Sequence, residues 1–141
     1  MNTDEYRQFT PVRPTERTRA VLRTLFQRRH EAARLPPMAA ELDGWRPVAD
    51  ECFENAAKWV AVHSHHSRVC GFLVLNYLPW GLAFVRFTPY CAVEVSESLV
   101  DITPRSSPGD TPFLRHRGTP DEFQSLLVEQ GNNLGLDLIL P

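Results

Sequence analysis

Apolar positions recur at helical spacing over residues 15–34, where Val21, Leu22, Leu25, Phe26, Ala32 and Ala33 share one face. Pro14 precedes this segment, Thr15 is placed to cap it, and Pro36 and Pro37 end it. Arg17, Arg19, Arg23, Arg28 and Arg34 occupy much of the remaining surface. The segment reads as an amphipathic helix with a solvated basic face; a surface for an acidic partner or nucleic acid is the sharper alternative. A second helix is predicted over 50–63. Ala56, Ala57, Trp59, Val60 and Ala61 make it apolar enough to be buried on more than one side.

The pattern then changes to short apolar runs with β-branched and aromatic residues. Strands are predicted at 69–75, 83–87, 92–95 and 99–102. Pro79-Trp80-Gly81 and Thr88-Pro89 punctuate the earlier runs, and Ser96-Glu97-Ser98 is a tight connection between the last two. Segment 103–119 is rich in Pro, Ser, Thr and Gly and reads as a surface loop. A third helix begins near residue 119. Thr119 and Glu122 form a capping-box pattern, Pro120 takes the first helical position, and Gly131 suits the stop. Phe123, Leu126 and Leu127 are its apolar face, and 136–140 is a terminal strand. Helices, then an antiparallel meander, then a helix indicate an α+β fold. Residues 1–14 read as an N-terminal arm and 15–141 as one domain, which 141 residues can fill.

Apolar residues are 43% of the chain and charged residues 23%, which excludes whole-chain disorder, collagen and coiled coil. No apolar run approaches a bilayer span, and the first residues lack a secretory h-region. Three scattered cysteines do not make a disulfide framework, so a cytoplasmic setting is expected. Net charge is −2 but uneven. Residues 1–34 carry eight arginines against four carboxylates, whereas the remainder carries seven basic and thirteen acidic groups. This balance disfavours nucleic acid as the partner, and the expected partner is a protein or peptide, with no membrane involved.

Cys52 stands at the start of the second helix. A helix N-terminus offers free N–H groups and a positive dipole end, which favour a thiolate and can hold an oxyanion. Asp50 and Glu51 oppose the same ionisation. A buried structural cysteine is the competing reading. His63, His65 and His66, with Cys52, Cys70 and Cys91, contain the atoms for a zinc site, but no CxxC or HxxxH spacing supports one. No metal or other cofactor is expected, and no phosphate-cradling loop, dinucleotide fingerprint or serine-hydrolase elbow occurs.

Taken together, ECFENAAKWV, RVCGFLVLN and YCAVEVSESLVDITP resemble compact cysteine hydrolases of the papain-like superfamily. Cys52-Phe53-Glu54-Asn55 is similar to the nucleophile segment of protein N-terminal glutamine amidohydrolases. The end Leu99-Val100-Asp101-Ile102-Thr103-Pro104 is similar to that of small bacterial proteins with a Cys-x-x-Asn segment and a later His-Ala-Val. The resemblance covers about residues 50–104. It implies a papain-like core in which Cys52 attacks an amide, for deamidation, hydrolysis or transfer, and Asp101 orients the base. The base position is altered, because Cys91 stands where that pattern has His before Ala92-Val93. A thiol titrates near ~8.5 and is a weak hydrogen-bonding group, so it does not replace imidazole. His63, His65, His66 or His116 would have to supply the base, or the scaffold is a pseudoenzyme. Asn55, Trp80 and Tyr90 are the expected substrate contacts. The alternative is a non-catalytic protein-binding or inhibitor module that uses the Arg-rich helix or the aromatic sheet edge. For Asp101 the competing role is structural, as a turn cap before Thr103-Pro104.

Overall fold

The computed structural model describes residues 15–105 and 111–129, and the backbone of residues 136–139. The 1–14 arm, residues 106–110 of the expected 103–119 loop and the Gly131 stop lie outside the described residues; the later part of that segment is not a surface loop, since Phe113–Arg115 is a strand that buries Phe113 and Leu114. The elements are α1 (Glu16–Gln27), α2 (Cys52–Val62), β1 (Ser67–Asn76), β2 (Phe84–Val95), β3 (Ser98–Val100), β4 (Phe113–Arg115), α3 (Pro120–Glu129) and β5 (Leu136–Ile139). The α+β class is as expected, and every strand pairing is antiparallel.

The first helix is shorter than its apolar pattern suggests. Thr15 does cap it, accepting a bond from the Thr18 amide, and it buries Thr18, Leu22 and Leu25. It ends at Gln27, followed by a 3-10 turn over Arg29–Glu31. Ala33 leaves helical geometry because its N–H and C=O are both bonded to Phe113, at 3.0 and 2.8 Å. Pro36 and Pro37 then hold the chain extended. The second helix buries Cys52, Asn55, Ala56 and Trp59, one stripe at i, i+3, i+4 and i+7, while Ala61 and Val62 are exposed. It is therefore one-sided rather than buried all round.

The sheet order is β3-β2-β1-β4, with β5 on the far end of β2. The two runs expected at 83–87 and 92–95 are one twelve-residue strand that passes through Pro89. The reason lies in the register. Pro89 faces Phe72, and Cys91 faces Cys70. The Cys91 N–H points away from β1, since it is donated to the sulfur of Cys52. Pro89 has the same parity, so its missing N–H would also have pointed away from β1. There β3 has paired only with 93–95 and β5 only with 84–87. Proline thus removes no ladder bond. Ser96 and Glu97 close the β2–β3 hairpin with φ of 49° and 68°, the two positive values a two-residue primed turn requires.

Two apolar cores share this sheet. One gathers Trp59, Ala56, Val69, Ala92, Val93, Ile102 and Phe113 under α2. The other packs Phe72, Val74, Val85, Phe87 and Leu114 against Leu22 and Leu25 of α1 and Phe123 and Leu126 of α3. Among the described residues no helix is long and apolar enough to cross a membrane.

Candidate functional site

The chain enters α2 through a constrained turn. The Asp50 N–H is donated to the Pro104 carbonyl at 3.0 Å, and Asp50 holds φ at 63°. Glu51 occupies the cap position without a side-chain bond, which makes Cys52 the first helical residue. The start of α2 is pinned from inside by Asn55. Its amide accepts from the Val48 N–H at 3.0 Å and donates to the Val48 carbonyl at 2.8 Å and the Thr103 hydroxyl at 3.1 Å. Asn55 is 2% exposed and its polar atoms are fully engaged, so it ties two loops together and has nothing to offer a substrate.

Cys52 lies against the middle of β2, where its sulfur accepts the Cys91 N–H at 3.3 Å. It is 5% exposed. Burial pushes the thiol up to about 11, with the charges of Asp101 and Glu54 adding to the effect. The Cys91 N–H and the Cys52 backbone amide only partly offset it. The helix N-terminus does not rescue the thiolate, because desolvation dominates.

Asp101 is also buried, and the connection after α1 clamps its backbone. Its N–H is donated to the Pro36 carbonyl at 2.9 Å, and its carbonyl accepts from Met38 at 2.8 Å. The carboxylate accepts from the Tyr90 hydroxyl at 2.8 and 3.0 Å and from the Thr103 N–H at 3.1 Å. Arg105 adds Nε and Nη2 bonds, each at 3.1 Å. Asp101 caps the turn into Thr103-Pro104, as its structural reading expects, and its carboxylate also holds the Tyr90 phenol. Burial pushes the Tyr90 hydroxyl up, and its bond to Asp101 adds to this against the bond from Arg105.

The structure therefore joins Cys52, Cys91, Asp101, Tyr90 and Asn55 at one end of the sheet, but as a closed internal network. Trp80 is elsewhere. It sits 74% exposed on a 3-10 turn, Leu78–Trp80, at the tip of the β1–β2 hairpin. Position 91 is six residues from Val85 along β2, roughly 20 Å, so Trp80 shares no cleft with Cys52. Nor does Cys91 serve as a base. Its S–H is donated to the Ala92 carbonyl at 3.7 Å, and the adjacent Cys70 thiol and then burial drive its pKa up.

None of the four proposed histidines reaches Cys52. His63 stacks on Trp59 at 3.8 Å, and His66 Nδ1 accepts the Trp59 indole N–H at 3.0 Å. Both are at the far end of α2, about 16 Å along the helix axis. His65 is exposed beyond them. His116 packs on Phe72 and Phe123, two strands from Cys91. Among the described residues no cluster of three or more His, Cys, Asp or Glu side chains is placed to hold a metal ion.

Sequence reasoning missed Arg105 and the part played by Cys70. Arg105 stands four residues after Asp101, a spacing with meaning on a helix but none in the irregular segment it occupies. Cys70 becomes informative only once the β1–β2 register sets it opposite Cys91. No family model, curated protein or solved structure matches the chain, so the reading of this site rests on its own geometry.

Proposed function

We propose that the chain is a non-catalytic protein-binding module built on a scaffold similar to a papain-like cysteine hydrolase, with its Cys52–Asp101 centre turned into a structural lock. The observation that carries this reading is the buried Cys52 thiol, 5% exposed, whose sulfur accepts the Cys91 N–H. Burial also pushes its pKa up to about 11, which opposes thiolate formation at pH 7. Hydrolase chemistry needs a nucleophile, a base and an orienting group in mutual reach. Here the nucleophile position accepts a backbone bond and no imidazole is bonded to it among the described residues. The orienting carboxylate is spent on Tyr90, Thr103 and Arg105.

The hairpin tip supports binding. Trp80 and Leu78 project from a short turn that Pro79 stiffens. Tyr77 beneath them stacks on Phe84 at 4.5 Å, and the Arg86 guanidinium lies 5.8 Å from the Tyr77 ring centre. A rigid, exposed indole is the kind of anchor that fills an apolar pocket on a folded partner at little entropic cost. The Arg-rich segment fits less well, because Arg17 lies 3.9 Å from Glu129, and Arg28 and Arg29, past the end of α1, are used locally on Glu31, Arg115 and Phe26. The position of Cys52 at a helix start beside Asp101 is what favours amide processing, and that reading makes the opposite forecast.

Site-resolved iodoacetamide labelling of the folded chain at pH 7 separates the two. The binding reading expects Cys52 to label at least ~100-fold more slowly than in the unfolded chain. Faster labelling than in the unfolded chain would overturn it in favour of the hydrolase. A photo-reactive residue at position 80 then tests the tip. One discrete cross-linked partner is expected, competed away by the unmodified protein and not by Trp80→Ala. Equal competition by Trp80→Ala would remove the tip from the proposal.

A further inference from the structure

The thiol with chemical potential is Cys70, one strand away from Cys52. Three residues form a row across one face of the sheet: His116 next to β4, Cys70 on β1 and Cys91 on β2. The His116 N–H is donated to the Cys70 carbonyl at 3.0 Å, which turns the Cys70 backbone toward β4. The Cys91 N–H turns the other way, to Cys52. Cys70 and Cys91 are therefore a directly opposed, non-hydrogen-bonded pair. Such pairs hold their Cα atoms about 4.5 Å apart with side chains in contact, inside the range a disulfide can bridge.

The environment of Cys70 differs from that of Cys52. Cys70 is partly exposed and opens into a cavity of about 320 Å³ that is also lined by Arg68, Arg115, His116 and Gly118. The opposed Cys91 thiol and the Arg68 charge lower the Cys70 pKa to about 7 against the opposing effect of burial. Burial lowers the pKa of the neighbouring His116 against the charge of Glu122, and its buried Nε2 has no hydrogen-bond partner among the described residues. A partly exposed thiol directly opposed to a second thiol is the arrangement that reacts with oxidants and then resolves.

We propose that Cys70 is a site of reversible oxidation by hydroperoxides, with Cys91 as the resolving thiol that closes a disulfide across the β1–β2 ladder. In the first step the Cys70 thiolate attacks the outer peroxide oxygen. The O–O bond breaks, Cys70 becomes the sulfenic acid, and the alkoxide or hydroxide leaves and takes up a proton. In the second step the Cys91 sulfur attacks the Cys70 sulfur. The S–O bond breaks, the hydroxyl leaves as water with the Cys91 proton, and the S–S bond forms. A dithiol reductant restores both thiols. The inference stands apart from the binding reading, since it uses neither Cys52 nor Trp80.

The test is intact-mass and peptide analysis of the full chain after stoichiometric hydrogen peroxide. Trypsin cleavage after Arg68, Arg86 and Arg105 places the three cysteines in three different peptides. The expected product has lost two hydrogens, and peptide 69–86 is joined to 87–105, while Cys52 is unmodified. Cys91→Ser should halt at the sulfenic acid, with Cys70 gaining one oxygen that dimedone captures. Cys70→Ser should lower peroxide consumption at least ~10-fold. Cys91→Ala repeats the trap without a polar atom in the core, and circular dichroism confirms that each variant is folded. A folded wild-type chain that forms no Cys70–Cys91 link would overturn the proposal, as would a link that includes Cys52.

Discussion

Cys52 and Cys70 carry the same functional group within a few ångströms of the same strand, and their surroundings send them in opposite directions. Cys52 is raised to about 11 by burial, whereas Cys70 is lowered by the opposed Cys91 thiol and an arginine. This difference has a consequence for stability. A group whose folded pKa is raised keeps its proton longer in the native state than in the unfolded chain. The Cys52 share of stability is therefore complete below about pH 9 and is lost as pH rises toward 11. That interval corresponds to about 3 kcal/mol at most. Tyr90 acts in the same direction from about pH 10 upward. Cys70 acts oppositely and adds stability as pH rises from about 7 to 9. The urea midpoint should thus fall steeply only above pH 9, and Cys52→Ala should flatten the first part of that fall. A midpoint that stays level from pH 9 to 11 would contradict the assignment. Residue identity exposed the position of Cys52 to sequence reasoning, but not its depth, because depth is set by strands forty residues away.

Among the elements, β1 and β2 explain most of what the hydrophobic pattern left hidden. The pattern showed where strands lie and placed the Ser96-Glu97 turn, since both signals are local. It split β2 at Pro89, because whether proline breaks a strand depends on which neighbour its missing N–H would have faced. It overextended α1, because Ala33 is drawn away by long-range pairing with Phe113. Gly71 is a third such case. A Cβ there would lie 2.3 Å from the Leu114 carbonyl oxygen and 2.6 Å from the Phe113 ring. The β1–β4 pairing needs that close approach, and backbone cannot yield as a side-chain tip can. Gly71→Ala should cost about 3 kcal/mol in urea unfolding. Gly44→Ala is the control. Gly44 has φ of 72° with open space around it, so only the backbone penalty of about 1 kcal/mol applies. Equal costs at the two positions would show that the approach at Gly71 is not tight.

At the scale of the whole molecule, β2 is the shared wall of both cores. Phe87 belongs to the core under α1 and α3, and Trp59 to the core under α2. Neither core can open without releasing the same strand. Phe87→Ala and Trp59→Ala should each remove about 3–5 kcal/mol. Both should shift one transition that far-UV circular dichroism and tryptophan fluorescence report at the same midpoint. Two separated transitions in either variant would mean that the halves fold independently. The candidate site follows the same logic of scale. Cys52, Asp101 and Tyr90 were legible as individual residues with chemical capacity. Their closure into a sealed network with Arg105, and the row of His116, Cys70 and Cys91, are properties of strand register, which no single stretch of sequence encodes.

Between the ends of β3 and β5, no strand among the described residues pairs with the outer edge of β2 over residues 88–92. A bare edge is where a second molecule can add its own strand and begin a chain of copies. Here the two donors that would invite it are already disposed of. Pro89 has none, and the Cys91 N–H ends on the sulfur of Cys52. The cysteine at the head of α2 thus acts as a cork in the sheet. It thereby guards the sheet against edge-to-edge association whether or not it ever acts as a nucleophile.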